Sequence, residues 1–469
     1  MSVAELDFDS CYRAVTARDA RFDGRFYTAV TSTRIYCRPI CPARTPASRN
    51  VRFYRHAASA EAAGFRPCKR CRPELSPGDP GWDHRGDLIG RALRLIDEGV
   101  ADDGGVARLA GRLHITERHL HRLFTTEIGV GPLAVARTKR LLLAKQLLTE
   151  TGLPITDVAF ASGFGSVRQF NATMKETYGF TPGELRATAS RDGGRNGGRA
   201  VADTSLTLRL HRREPYDSRA LLRFLRARAI PGLETVDETS YSRVVPGGAV
   251  TLTPLPGHVR LDVELDDTRG LARVVARCRR LLDLDADPQA IADALGGTSL
   301  GPLVTANPGL RVPGAWDGFE VAVRAVVGQQ ISVAGARTLL GRIVARAGHG
   351  GVLFPAPGEL LEADLEGLGL TGRRVATLRA LAACVAEGEI DLDGAQEPAQ
   401  VVSRLLPLPG IGPWTASYVA LRALRDPDAW PDGDLVLRRT MARLDIPEDH
   451  IERWRPWRAY AALHLWSAA

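Results

Sequence analysis

Apolar and polar positions change period along this chain, and the changes mark out its elements. From Asp87 to Gly99, in DLIGRALRLIDEG, apolar residues recur at helical spacing, and Gly99 ends the run. The stretch GGVARLAGRLHITERHLHRLFTTEIG then reads as helix, short turn, helix, over Ala107–Leu113 and Thr116–Thr126. Thr116 suits the N-cap, and Glu117 just inside the helix suits its positive end. A second copy follows in PITDVAFASGFGSVRQFNATMKETYG, with Gly163 at the turn and Ser166 as the next cap. The basic run PLAVARTKRLLLAKQLL predicts a helix joining the two copies. From Ser205 the period drops to two: SLTLRLH, AVTLTPL and HVRLDVEL predict half-buried strands. SRALLRFLRARAI reads as a helix among them, and beyond residue 270 the pattern is almost wholly helical.

Two stretches break these patterns. SRDGGRNGGRA, from Ser190 to Ala200, replaces apolar periodicity with glycine and arginine and reads as a flexible linker. A weaker boundary lies near residues 73–87, rich in Pro, Gly and Asp. No repeat of solenoid period is present, and 469 residues correspond to about three domains of ~150 residues each. Hydrophobic content of 44% and charged content of 25% fit globular units with real cores. No window approaches ~18 consecutive apolar residues, so no membrane span is expected. The opening MSVAELDFDS has neither a basic nor an apolar leader segment, which predicts a cytoplasmic protein.

Charge and cysteine usage sharpen this outline. The net charge is +8, but residues 1–200 hold 31 Lys/Arg against 21 Asp/Glu, and the remainder 31 against 33. A basic first half implies a polyanionic partner, with DNA the leading candidate. In a reducing compartment seven cysteines are ligands or reactive thiols before they are disulfides. Cys11, Cys278 and Cys384 are scattered singly and read as packing residues. Cys37, Cys41, Cys68 and Cys71 form two short-spaced pairs with 26 residues between them. Such pairs close two local loops around one tetrahedral ion, and soft thiolates favour Zn²⁺. Spacing alone leaves open whether that zinc is structural or reactive. Arg34, Arg38, Arg66, Arg70 and Arg72 stand nearby, either as phosphate grips or as solvated charges. Further on, LPGIGPWTASYVAL places a Pro-Gly-x-Gly turn between two helices. At Gly410 and Gly412 this frees backbone N–H groups at a helix start, suited to one DNA phosphate. Asp434 follows in DAWPDGDLVLRR, at a turn ahead of another helix.

Three resemblances run through these stretches. The segment DGRFYTAVTSTRIYCRPICPARTPASRNVRFYRHAASAEAAGFRPCKRCRPE is similar to the N-terminal domain of the Ada family over nearly its whole length. That resemblance implies zinc on Cys37, Cys41, Cys68 and Cys71, with Cys37 accepting a methyl group from a methyl phosphotriester in DNA. A metal-held sulfur stays deprotonated at neutral pH, and a thiolate attacks carbon far better than a thiol. Nothing regenerates the thiol, so the reaction is expected to be stoichiometric. The Pro-Cys-His-Arg acceptor of full-length Ada regulators does not occur here, and O6-alkylguanine repair is not expected. The paired helix-turn-helix pattern, with its closing ASGFGSVRQFNATMKETYGFTPGELR, resembles the AraC-type DNA-binding domain. It implies groove-reading residues at Arg118, His119, His121 and Arg122, then at Ser166, Arg168 and Gln169.

Residues 204–466 resemble the AlkA-type alkylbase glycosylases, notably in GLRVPGAWDGFEVAVRAVVGQQISVAGA and RWRPWRAYAALHLW. This implies Asp434 as the catalytic carboxylate and Trp414, Tyr418 and Trp466 as an aromatic base pocket. Gln330 stands where the family has an apolar wedge entering the duplex, and Leu435 replaces an aromatic beside the aspartate. Strand-cutting relatives carry a lysine at the position of Trp414, so a monofunctional enzyme is expected. No cysteine follows the hairpin, which excludes the iron–sulfur cluster of some relatives.

The expected architecture is therefore multidomain. It comprises a small α/β zinc domain over 1–78, an all-α double helix-turn-helix domain over 84–188 and a flexible linker over 189–202. An α+β C-terminal unit follows, with an AlkA-like α/β subdomain over 203–285 and a helix-hairpin-helix glycosylase domain over 286–469. The expected partners are double-stranded DNA, both alkylated DNA and promoter sites, and RNA polymerase. The alternative is a transcription regulator whose C-terminal unit grips DNA without catalysis.

Overall fold

The computed structural model describes residues 6–79, 88–191 and 205–469. Most of the predicted linker lies outside these residues. The chain divides into two units, one of residues 1–213 with 257–276 and one of 214–256 with 277–469.

The first unit opens with a helix, Phe8–Ala17, capped by Asp7, whose carboxylate accepts from Ser10 N–H at 2.8 Å. A small sheet follows, built from β1 (Tyr27–Val30), β2 (Ile35–Cys37), β3 (Val51–Tyr54) and β4 (Arg66–Pro67), in the order β3-β1-β2-β4. β1 is antiparallel to both neighbours, whereas β2 and β4 are parallel, with Tyr36 opposite Pro67. Ala29, Tyr36, Ala57, Ala60 and Phe65 form the apolar cluster around this sheet.

Helices fill the middle of the unit. The first helix-turn-helix pairs Val100–Arg112 with Glu117–Glu127, and the second pairs Ile155–Ala161 with Val167–Tyr178. The first of these begins earlier than the predicted Ala107, but Gly105 has non-helical angles (φ 63°, ψ −155°). The regular part therefore starts close to the expected place. Thr116 and Ser166 cap as expected, accepting from His119 N–H at 3.2 Å and Gln169 N–H at 3.1 Å. Gly163 holds the second turn at φ 88°, and a Cβ there would stand 2.7 Å from Asp102 Oδ2. The joining helix, Pro132–Glu150, starts on proline at N1, where the missing N–H costs nothing. The strands β5 (Ser205–His211) and, far along the chain, β9 (His258–Leu265) pair antiparallel with Leu208 opposite Leu261.

The second unit carries β6 (Glu234–Val236), β7 (Tyr241–Val245) and β8 (Gly248–Leu255), with β7 antiparallel to both β6 and β8. The helix Ser218–Arg228 precedes them, and a helical array follows around a large apolar core. Within it Arg243 and Arg324 are matched to Glu234 and Glu320, each guanidinium meeting both carboxylates. Two cations and two anions together avoid the penalty of a lone buried charge. No helix among the described residues is long and apolar enough to cross a membrane.

Candidate metal centre and candidate active site

Strand pairing assembles the cysteines. β2 ends on Cys37 and β4 runs into Cys68, whose N–H donates to Tyr36 O at 2.9 Å. Cys41 is brought back by a turn in which its N–H donates to Arg38 O at 3.1 Å. The four sulfurs all lie within 4.8 Å of one another. Two backbone N–H groups point at them, Arg38 to Cys71 Sγ at 3.3 Å and Arg70 to Cys68 Sγ at 3.4 Å. Four soft donors in mutual reach, with main-chain N–H groups to stabilise thiolates, fit a tetrahedral zinc site. Cys68 and Cys71 are buried, whereas Cys37 and Cys41 are half-buried.

Of the five arginines read either as phosphate grips or as solvated charges, the structure gives two to internal partners. Arg38 is buried, paired with Asp23 in a two-pronged contact, and its Nη1 donates to Cys71 O at 3.2 Å. It braces the metal loop and does not reach outward. Arg72 is spent on Glu74 at 3.0 Å, Glu150 at 3.2 Å and Thr149 Oγ1 at 2.7 Å. Arg34, Arg66 and Arg70 are exposed.

Sequence reading also missed a polar hub. The buried Glu61 carboxylate accepts from Tyr36 OH at 3.0 Å, Thr138 Oγ1 at 2.6 Å and Tyr178 OH at 3.4 Å. Tyr36 adjoins Cys37, Thr138 lies on the joining helix and Tyr178 ends the helix Val167–Tyr178, so one residue ties the sheet to both. Nearby, Lys145 Nζ donates to Cys68 O at 3.1 Å and pairs with Glu74 at 2.6 Å. No spacing rule links these positions in sequence.

Chelation of the metal is expected to unfold the β1–β4 region. Apparent zinc-binding energies of about 10–16 kcal/mol exceed what so small a core supplies. Zinc content should be one ion per chain. Loss of amide-exchange protection in β1–β4 on chelation, with the C-terminal unit unaffected, is the expected reading. Unchanged protection would mean that the metal is dispensable.

On the helix Glu117–Glu127 Arg118 and Arg122 are exposed, while His119 is half-buried with Nδ1 3.2 Å from Arg122 Nη2. Arg168 and Gln169 on the second helix are exposed.

The second site lies where Pro398–Leu405, a glycine turn and Pro413–Arg422 form the predicted hairpin. Gly410 has φ 82°, and a Cβ there would meet Thr377 Oγ1 at 2.3 Å. Gly412 caps the second helix without a side-chain acceptor. Asp434 is the N-cap of Leu435–Arg443, its Oδ1 accepting from Val436 and Leu437 N–H at 2.9 Å each. Its other oxygen accepts from Trp414 Nε1 at 2.7 Å, and Trp466 Nε1 lies 3.4 Å from Oδ1. The expected cap and the expected pocket aspartate are thus one residue. Trp414 and Tyr418 stack at 5.2 Å between centroids, and Trp466 meets Tyr418 edge-on at 6.5 Å. All four side chains are half-buried, so the cluster opens to solvent.

Gln330 is exposed, in a left-handed conformation (φ 57°), on the turn between the helices Gly318–Val327 and Val333–Ala347. Its neighbour Gln329 was not singled out from sequence. Gln329 Nε2 donates to Gly410 O and to Thr415 Oγ1, both at 2.9 Å, tying the Gln330 turn to the hairpin.

Comparison with known proteins accounts for all three regions. Residues 10–74 match the metal binding domain of Ada, 109–188 a helix-turn-helix domain and 207–317 the AlkA N-terminal domain. A probable bifunctional transcriptional activator/DNA repair enzyme AlkA of Mycobacterium tuberculosis is 46% identical over 480 residues, covering 98% of this chain and 96% of that one. The chain belongs to that family. Its parts also match separately. DNA-3-methyladenine glycosylase 2 of Escherichia coli is 37% identical over 54% of this chain and 94% of its own length. The bifunctional transcriptional activator/DNA repair enzyme Ada of Escherichia coli is 37% identical over 39% of this chain and 49% of its own. Zinc is the metal of the four-cysteine centre, and DNA is the partner.

Proposed function

We propose that this chain couples an alkylation sensor, a transcription activator and a base-excision enzyme. Residues 1–78 take a methyl group from a methyl phosphotriester onto Cys37. Residues 84–188 then select promoter DNA and recruit RNA polymerase, and residues 203–469 excise alkylated bases of the 3-methyladenine type. All of this takes place in the cytoplasm. Bound zinc keeps the ligand sulfurs as thiolates at neutral pH. Cys37 sits at the end of β2 on the half-buried side of the cluster, where a DNA phosphate can approach. Arg34, Arg66 and Arg70 are the exposed cations left to hold the backbone.

The observation that carries the excision reading is Asp434, fixed by two backbone N–H groups and one indole N–H among three aromatic rings. The rings stack against a base turned out of the duplex. Gly410 and Gly412 grip a phosphate, and Gln330 fills the gap that the base leaves. Asp434 then offsets positive charge developing on the sugar as the base departs. A cationic alkylated base is already a good leaving group, so no proton donor is required.

The test is release of free 3-methyladenine from methylated duplex DNA by the full chain. Trp414 occupies the place of the amine a strand-cutting relative would use, so release should come with no borohydride-trapped adduct. A trapped adduct overturns the monofunctional reading, and absence of free base overturns excision.

A further inference from the structure

At the hydroxyl end of Tyr418 the pocket wall carries two guanidinium groups, Arg422 and Arg228, that lack a carboxylate of their own among the described residues. Arg422 is buried, and its donors go to Pro313 O at 2.7 Å, Gly314 O at 2.8 Å and Tyr418 OH at 3.0 Å. Arg228 ends the helix Ser218–Arg228, with its guanidinium carbon 3.8 Å from the Phe224 ring centroid and one long bond of 3.4 Å to Phe224 O. Arg422 covers the same ring from 4.9 Å. Among the described residues neither guanidinium has a carboxylate in ion-pair range. The contrast lies close by: Arg324, which donates to Arg228 O at 2.8 Å, is matched to Glu234 and Glu320. A fold that neutralises Arg243 and Arg324 so completely leaves Arg228 unmatched beside the base pocket.

The phenol reports this field. Burial pushes Tyr418 up, yet Arg422 and Arg228 outweigh it and leave the hydroxyl below its usual range. Arg422 can only donate to the phenol oxygen, so the Tyr418 proton is free to point elsewhere as a donor. That end of the pocket therefore offers positive charge and, in the phenol proton, a hydrogen-bond donor.

We propose that Arg228 is a specificity-determining residue of the pocket. Its unmatched charge disfavours a base that is already cationic and favours a neutral base presenting an acceptor, such as a carbonyl oxygen. This rests on the excision reading above. The discrimination acts in binding, because a cationic base still leaves readily once seated.

The experiment compares the full chain with Arg228→Met and Arg228→Lys on duplexes holding one 7-methylguanine or one hypoxanthine. Both bases carry a carbonyl at position six, and only the first is cationic. In Arg228→Met the ratio of kcat/KM for 7-methylguanine over hypoxanthine should rise about tenfold, the scale of one charge across a screened pocket. The change should appear in KM, with kcat little altered, and Arg228→Lys should keep the wild-type ratio. A merely structural role would lower both substrates together. An unchanged ratio in Arg228→Met, or a lysine variant that behaves like the methionine one, overturns the proposal. If the wild type releases neither base but still releases 3-methyladenine, this proposal alone fails; if it releases none of the three, the excision reading fails with it.

Discussion

Asp434→Asn should lower base release at least about 10²-fold while leaving DNA binding nearly intact. Removing one electrostatic stabiliser from a preorganised site costs about 2.7–4 kcal/mol in comparable cases. The asparagine variant keeps a side-chain oxygen for the Val436 and Leu437 N–H groups, so the helix cap survives. Its amide would face the Trp414 indole N–H, donor against donor, or else turn its oxygen there and abandon the cap. Some loss of stability is therefore expected along with the loss of charge. Single-turnover release of 3-methyladenine, read beside the melting temperature, separates the two. Near-normal release by a folded variant would remove Asp434 from the mechanism. The same assay decides against a C-terminal unit that only grips DNA.

What the sequence disclosed was whatever depends on short spacing. The two cysteine pairs, the Pro-Gly-x-Gly turn and the Asp434 cap are each written within a few residues, and the structure has each element where the spacing put it. The parallel pairing of β2 with β4 was not legible, since β4 spans two residues and has no alternation to read. That pairing is nonetheless what brings Cys37 against Cys68. The place of Arg38 was hidden for the same reason. A basic residue between two cysteines reads as a phosphate grip or a solvated charge until Asp23, fifteen positions back, is seen to claim it. Glu61 and Gln329 act through contacts that cross about 80 positions, and residue type alone marks neither of them.

Methylation of Cys37 should raise the affinity of the chain for DNA by about 30-fold at low salt. Four thiolates on one divalent cation carry a formal charge of −2, which repels the phosphate backbone, and methylating one of them leaves −1. One charge at about 8 Å from a phosphate is worth roughly 2 kcal/mol at an effective dielectric near 20, and less as salt screens it. Surroundings do not cancel this change: the Arg38 guanidinium is already neutralised by Asp23, and Arg72 by Glu74 and Glu150. The effect would reach the rest of the unit because Tyr36, beside Cys37, is bonded through Glu61 to the joining helix and to the end of the helix Val167–Tyr178. On the proposed function the sensor and the two helix-turn-helix copies would meet DNA together, and affinity gained at Cys37 would add to the sequence choice proposed for Arg118, Arg122, Arg168 and Gln169. Binding to one fixed duplex, measured before and after reaction with methyl-phosphotriester DNA across a salt series, tests this. The gain should shrink steadily with salt, zinc should remain at one ion per chain, and Cys37→Ser should take up no methyl group at all. Equal affinities for the two forms, with Cys37 shown by mass to be methylated, would leave a repair reaction without a switch.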